Sequence, residues 1–340
     1  MVDFPMGGFL IARIHVRRPE FMKTTARFVC LALALGACSS GSQEQASTRP
    51  TSFDGEVLRI AVPRADGGTE HFSSLRDEWY SWSWFPFMPN HSGRRWTMGK
   101  TDRDGVSLAY ALVSWDNDDP TDYLAAGFWM RFDGATTTRR LNPALAEIAP
   151  FIDGPELDAG IPPELPVSGT ARYAGSAGGV YRYHLPGAEP LAEEFVATMT
   201  LQADFAAGTV AGCIGCVGDI ALEREHLYSI LGWRRGDAAD EHLPTEYEIH
   251  FAPAAIDGTG GFAGASVAVT HPDRAIVRSD GSWSGRHSSR PAEDGIPRLA
   301  AGHASTAFAE ADGGEGSFDS IFTGLHPTLL PQTPPEESQP

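Results

Sequence analysis

From residue 195 to residue 205 apolar and polar side chains alternate. Phe195, Ala197, Met199, Leu201, Ala203 and Phe205 are interleaved with Val196, Thr198, Thr200, Gln202 and Asp204. An extended backbone sends successive side chains to opposite faces, so this pattern predicts a strand with one face in a core and the other turned outward. Tyr247, Ile249 and Phe251 alternate with Glu246, Glu248 and His250 in the same way. Shorter strands are expected at 169–173, 180–184, 208–214, 262–270, 281–286, 299–308 and 316–322. Turn residues separate them: Gly175-Ser176, Pro186-Gly187, Ala207-Gly208, Asp257-Gly258, Asp280-Gly281 and Gly313-Gly314. Eight or nine short strands at this spacing predict a closed antiparallel barrel or a sandwich. A chain with 37 Gly and 25 Pro in 340 residues suits that class better than packed helices. Gly264, Gly285 and Gly302 mark bulges or close backbone approaches. Residues 219–235 break the rhythm, as a helix or a long loop.

The region 53–166 reads differently. Strand-like runs at 106–115 and 123–132 flank a polar loop, Asp116-Asn117-Asp118-Asp119-Pro120-Thr121-Asp122, and together predict a hairpin. Trp79, Trp82, Trp84, Trp96, Trp115 and Trp129 fall here, six of the eight tryptophans. Asn142 followed by Pro143 predicts a short capped helix over 142–148. Residues 150–166, rich in Pro, Gly and Asp, read as a linker.

The N-terminus carries an export address. A cationic leader beginning at Met22 precedes a ten-residue apolar run, 28–37, too short to span a bilayer. The run ends in Leu35-Gly36-Ala37-Cys38, which resembles the bacterial lipobox. There the Cys38 thiol takes the lipid and Cys38 becomes the mature N-terminus, with Ser39 suiting onward sorting to the outer membrane. Residues 1–37 are then leader and signal peptide, 38–52 a flexible tether, and 325–340 a Pro-rich disordered tail.

Charge follows the same division. The whole chain has 26 basic and 44 acidic residues, net −18; the leader removes five basic and two acidic ones, leaving a mature net of −21. An acidic body of this kind excludes nucleic acid as a partner, because phosphate binding needs a basic surface. Cys213 and Cys216 in Cys213-Ile214-Gly215-Cys216 are expected to form a disulfide in an oxidising compartment, with a redox pair or a metal site as alternatives.

Catalytic patterns are scarce. Neither G-x-S-x-G nor S-x-x-K occurs, and Lys100 is the one lysine of the mature chain. Gly258-Thr259-Gly260-Gly261-Phe262-Ala263 fits a loose G-x-G-x-x-A, but it precedes a strand where phosphate cradling needs a helix. The loop 116–122 has oxygen ligands without EF-hand spacing and reads as a solvated turn. His184, His250, His287 and His303 are expected at strand edges or surfaces, a haem ligand among them being the sharper alternative. The aromatic stretch 79–87 is either core or an exposed binding surface. No catalytic residue, metal ligand or cofactor is expected, and the ligand-binding residues are left open.

Several segments together resemble the transferrin-binding-protein-B-like β-barrel surface lipoproteins. They are Gly169-Thr170-Ala171-Arg172-Tyr173-Ala174-Gly175, the run from Leu201 to Val210, and Gly281-Ser282-Trp283-Ser284-Gly285. Ala300-Ala301-Gly302-His303-Ala304 followed by Gly316-Ser317-Phe318 completes the set. The resemblance covers residues 166–324. It implies an all-β chain: a C-terminal antiparallel eight-stranded β-barrel at 166–324 preceded by a smaller strand-rich, handle-like domain at 53–165. It also implies a non-catalytic outer-membrane lipoprotein, often displayed at the cell surface, that binds a protein or an iron- or haem-bearing partner. The alternative is a carrier of a small apolar ligand such as haem, or a structural envelope lipoprotein. A single barrel departs from the bilobed members, and Cys213–Cys216 lies outside their general pattern. No binding residue transfers, because partner contacts in that family lie in variable loops.

Overall fold

The computed structural model describes residues 51–63, 67–74, 79–84, 93–101, 105–115, 122–133, 146–154, 165–188, 191–218, 220–222, 244–288 and 295–326. Every regular element among them is a strand. The first eight are β1 (Thr51–Phe53), β2 (Leu58–Pro63), β3 (Thr69–Ser73), β4 (Trp79–Trp84), β5 (Gly93–Thr101), β6 (Gly105–Trp115), β7 (Tyr123–Asp133) and β8 (Ala146–Asp153). Next come β9 (Thr170–His184), β10 (Leu191–Asp204), β11 (Thr209–Ile214), β12 (Ala221–Leu222) and β13 (Glu248–Ala255). The last are β14 (Gly261–Gly264), β15 (Val267–Thr270), β16 (Ile276–His287), β17 (Leu299–Glu310) and β18 (Glu315–Leu325).

The C-terminal strands form an antiparallel sheet ordered β14-β16-β17-β18-β9-β10-β11-β13-β15, with β12 beside β10. Strand β15 lies against β16, and β13 against β14, so the nine-strand path curls into a nearly closed barrel. The alternation that predicted β10 sets its orientation. Phe195, Ala197, Met199, Leu201 and Ala203 all enter the barrel core, while Gln202 faces out. The interior is filled by rings, among them Tyr173, Tyr181, Phe195, Tyr247, Trp283, Phe308, Phe318 and Phe322, each no more than 2% exposed. Phe251 stacks on Trp283 at 4.9 Å between centroids, and Phe308 on Phe318 at 5.8 Å.

Upstream of the barrel are a three-stranded sheet, β1-β2-β3, and a five-stranded sheet, β4-β5-β6-β7-β8. Phe53, Leu58, Ile60, Val62 and Phe72 pack against Ala109, Ala111, Val113, Trp115, Ala125 and Trp129 of the larger sheet. Thr51 ties the two together, its N–H and hydroxyl donating to Asp153 Oδ2 at 2.8 and 2.6 Å. The other face of β6 and β7 carries Tyr110, Leu112, Leu124, Ala126, Phe128 and Met130, all buried where these strands meet β17 and β18. Strands β6 and β7 are thus covered on both faces. That accounts for the unbroken apolar run 108–113, which strict alternation would not produce.

The predicted hairpin at 106–115 and 123–132 is present, with Val106 opposite Phe132 and Trp115 opposite Tyr123. Other expectations change. Residues 146–148 belong to strand β8 where a helix was predicted, because Ala146 to Asp153 pairs along β7 from Phe132 to Ala125. The same strand takes 150–153 out of the expected linker. The two strands predicted at 169–173 and 180–184 are one, β9, and Gly175-Ser176 lies inside it rather than at a turn. A Cβ at Gly179 would collide with the Asp319 carbonyl of β18, so close strand approach is what requires glycine there. Asp280-Gly281 likewise lies within β16. The run predicted as one strand over 262–270 is two, β14 and β15, and the barrel has nine strands where the resemblance implied eight. Turns at 186–187, 207–208 and 257–258 and the bend at Gly313 are where the sequence placed them. Gly264, Gly285 and Gly302 all sit where a Cβ would strike a neighbouring ring.

Candidate functional site

The barrel offers three places where polar chemistry gathers: its two ends and its open outer wall. Near one end, Glu310 is the last residue of β17, and the even-numbered residues of that strand face inward. Its side chain is 2% exposed. The Tyr183 hydroxyl donates to Glu310 Oε2 at 2.7 Å, the Tyr247 hydroxyl donates to Oε1, and Arg274 Nη1 lies 3.5 Å from Oε1. Burial, reinforced by the hydrogen bonds to Glu310, pushes both phenols above their ordinary value. The arrangement surrounds a buried carboxylate with two phenol hydroxyls and a guanidinium at the barrel end.

At the other end sits His287, the last residue of β16, with 0% exposure. Its Nδ1 donates to the Gly260 carbonyl at 3.1 Å, the only polarity a carbonyl acceptor allows. Tyr173, Phe205 and Phe262 surround the ring at centroid distances of 5.3, 5.9 and 5.2 Å. Burial, with Arg286 adjacent, lowers its pKa to about 4. The expectation of an edge or surface position is therefore wrong for His287: its strand position points inward, beneath the Asp257–Gly260 turn. His303 is half-buried, held by Ser284 Oγ at 3.0 Å, and burial lowers its pKa as well. His184 is exposed and His250 half-exposed, as expected.

The outer wall spanning β16, β17, β18 and β9 carries a shallow polar depression of about 390 Å³, lined in part by Arg182, Asp280, Ser282, Ser305, Ser317 and Asp319. Arg182 pairs with Asp319 at 2.9 Å, and the Ser305 hydroxyl donates to the other Asp319 oxygen at 2.8 Å. Strand alternation places these side chains outward on adjacent strands.

Cys213 and Cys216 form the expected disulfide, with Cα atoms 5.9 Å apart. The loose G-x-G-x-x-A segment is a hairpin turn organised by Asp257, whose Oδ1 accepts from the N–H groups of Thr259 and Gly261 at 2.8 and 3.0 Å. Hydrogen bonding from the Thr259 hydroxyl, chiefly, holds the Asp257 carboxyl below its usual range. The segment runs into strand β14, not into a helix, as the sequence predicts. Asp122, the described residue of the acidic loop, is 1% exposed and so departs from the solvated turn expected. Asp116 to Thr121 lie outside the described residues, as do Cys38, the apolar leader and 327–340. Leu325 of the expected disordered tail instead closes β18 opposite Leu299, and Thr51 and Ser52 of the expected tether belong to β1, because both segments pair with a neighbouring strand. Of the aromatic stretch 79–87, the backbone of 79–84 is strand β4; residues 85–87 lie outside the described set. The choice between core and binding surface there rests on side chains outside it too.

Glu310 and Arg274 escaped the sequence reading because carboxylates are too common in an acidic chain to stand out singly. One signal was present: Glu310 continues the inward series Ala300, Gly302, Ala304, Thr306 and Phe308. Compared with known protein families and with characterised proteins, the sequence finds no match.

Proposed function

We propose that the chain is a lipid-anchored, non-catalytic outer-membrane protein that binds a protein partner, or an iron- or haem-bearing one, on the outside of its barrel. The observation that carries this reading is the ring-filled interior, in which twelve aromatic side chains from Tyr173 to Phe322 share one core. A small-ligand carrier needs a concave cavity of several hundred Å³, and such a ligand here would have to displace that packing. What remains for recognition is the outer wall beside the five-stranded sheet, together with the loops between strands. The lipobox ending at Cys38 supplies the anchor in this reading. The acidic body favours a basic partner surface, with charge complementarity accelerating encounter.

The test joins anchor and interior. Metabolic labelling with a radioactive fatty acid should mark the native chain and leave the Cys38→Ala variant unlabelled. Haemin added to the purified protein should give no Soret shift. An unlabelled native chain would remove the anchor, and a stoichiometric Soret shift would return the binding site to the barrel interior.

A further inference from the structure

The disulfide has a third neighbour that the sequence did not connect with it. Cys213 on β11 stands directly opposite His250 on β13. Ile214 and Ile249 enter the core, so both of those side chains lie on the outer wall. Gly215, at φ 87°, reverses the chain and donates its N–H to the Thr198 carbonyl at 3.1 Å, bringing Cys216 back over the same spot. Cys216 Sγ then lies 3.8 Å from His250 Nδ1. The two sulfurs and one imidazole nitrogen all fall within 4.8 Å of one another.

The imidazole is also oriented from behind. Its Nε2 lies 2.9 Å from Glu248 Oε2 and 3.2 Å from Thr270 Oγ1. A carboxylate only accepts, so Nε2 carries the hydrogen and the Nδ1 lone pair points at the cysteines. A carboxylate behind a histidine whose other nitrogen faces two sulfurs is the outer-shell arrangement that fixes metal-ligating histidines.

We propose that reduction of the Cys213–Cys216 disulfide creates a zinc site whose ligands are Cys213 Sγ, Cys216 Sγ and His250 Nδ1, with Glu248 as the positioning residue and water in the fourth place. Two thiolates and a neutral imidazole suit Zn²⁺, with metal–sulfur bonds of about 2.3 Å and metal–nitrogen bonds of about 2.0 Å. Sulfurs on a tetrahedral ion lie roughly 3.8 Å apart, a separation that side-chain rotation supplies once the S–S bond is gone.

The chemistry balances with a dithiol reductant. One of its thiolates attacks Cys216 Sγ, which is open to solvent, and Cys213 leaves as thiolate. The reductant's second thiolate displaces Cys216 and the reductant departs as its own disulfide, leaving two protein thiols. Zn²⁺ then replaces one proton on each. In the disulfide form both sulfur ligands are withdrawn, so the site is gated by the redox state of its surroundings.

The experiment uses the full chain with Cys30 and Cys38 replaced by alanine, so that the leader thiols contribute nothing. After anaerobic reduction, confirmed by a count of two thiols, Zn²⁺ is titrated against a chromophoric chelator. One equivalent should bind to the reduced chain and none to the oxidised chain. His250→Ala should weaken binding by at least tenfold and Glu248→Gln by about tenfold to a hundredfold. Both variants keep the cysteine pair, and their fold is checked by circular dichroism in the oxidised state. Co²⁺ in place of zinc should show thiolate charge-transfer absorption. No binding after reduction, equal binding by the oxidised chain, or unchanged affinity in His250→Ala would each overturn the proposal.

Discussion

Acidification should loosen the barrel through His287. With Nδ1 donating to the Gly260 carbonyl, the added proton must go to Nε2, which is buried among Tyr173, Phe205 and Phe262 with no hydrogen-bond partner. The folded-state pKa is therefore depressed from 6.5 to about 4. A depressed histidine binds fewer protons folded than unfolded between those values. Its contribution is fully present above pH 6.5 and is lost as the pH falls toward 4. At pH 4.5 the linkage amounts to about 2 to 3 kcal/mol, and it saturates at about 3 kcal/mol at lower pH. Carboxylates and the other histidines titrate over the same range, so the contribution is isolated by difference. His287→Phe keeps an aromatic ring in the site and removes the proton. Urea unfolding of both proteins at pH 7.5 and pH 4.5 should show the native chain losing about 2 to 3 kcal/mol more than the variant on acidification. Equal losses in the two proteins would mean that His287 does not contribute to the acid sensitivity.

Other expectations follow from single contacts. Glu310→Gln converts the Tyr183 and Tyr247 bonds from charge-assisted to neutral and removes the carboxylate charge beside Arg274; a loss of about 2 to 3 kcal/mol is expected in denaturant unfolding at pH 7. Tyr183 and Tyr247 are held above the ordinary phenol value of 10 by burial and by Glu310, so the stability they supply is intact below pH 10 and falls as pH rises beyond it. The gap between native and Glu310→Gln stability should narrow there. Gly178→Val drives side-chain atoms into Tyr110 Oη at the contact between the five-stranded sheet and the barrel. Overpacking of this kind costs about 1 to 3 kcal/mol, visible as a lowered Tm. Replacing Cys213 and Cys216 by serine removes a very short covalent loop, and chain entropy limits the cost to about 2 kcal/mol by denaturant unfolding.

How far the sequence spoke depended on whether one face or both faces of a strand were covered. Strand β10 was legible over its second half because there only the inner face is fully buried, so Met199 and Leu201 alternate visibly with Thr200 and Gln202. Strand β9 was not. Its Ser176, Gly178 and Val180 lie beneath the neighbouring sheet, and Gly175 and Gly179 face β18 at close range, so a continuous strand carries the residues of a turn. The Asn142-Pro143 capping signal was genuine local chemistry, but β8 pairs with β7 from Ala146 onward, and the pairing overrides it. At the candidate sites the disulfide could be read from spacing alone. Its adjacency to His250 could not, since it depends on register between β11 and β13. His287 and Glu310 lay in view only as members of an inward series, where a charged or polar residue at an apolar position is itself the signal.

The proposed function has a packed barrel held on the membrane by lipid and presented outward to a partner. Protease treatment of intact cells expressing the native chain tests it most directly, with the Cys38→Ala variant in parallel. The expected result is digestion of the native protein from outside while periplasmic markers stay intact, together with loss of the variant from the membrane fraction. A native chain that is protected until the outer membrane is opened, or a Cys38→Ala variant that stays membrane-bound, would contradict it.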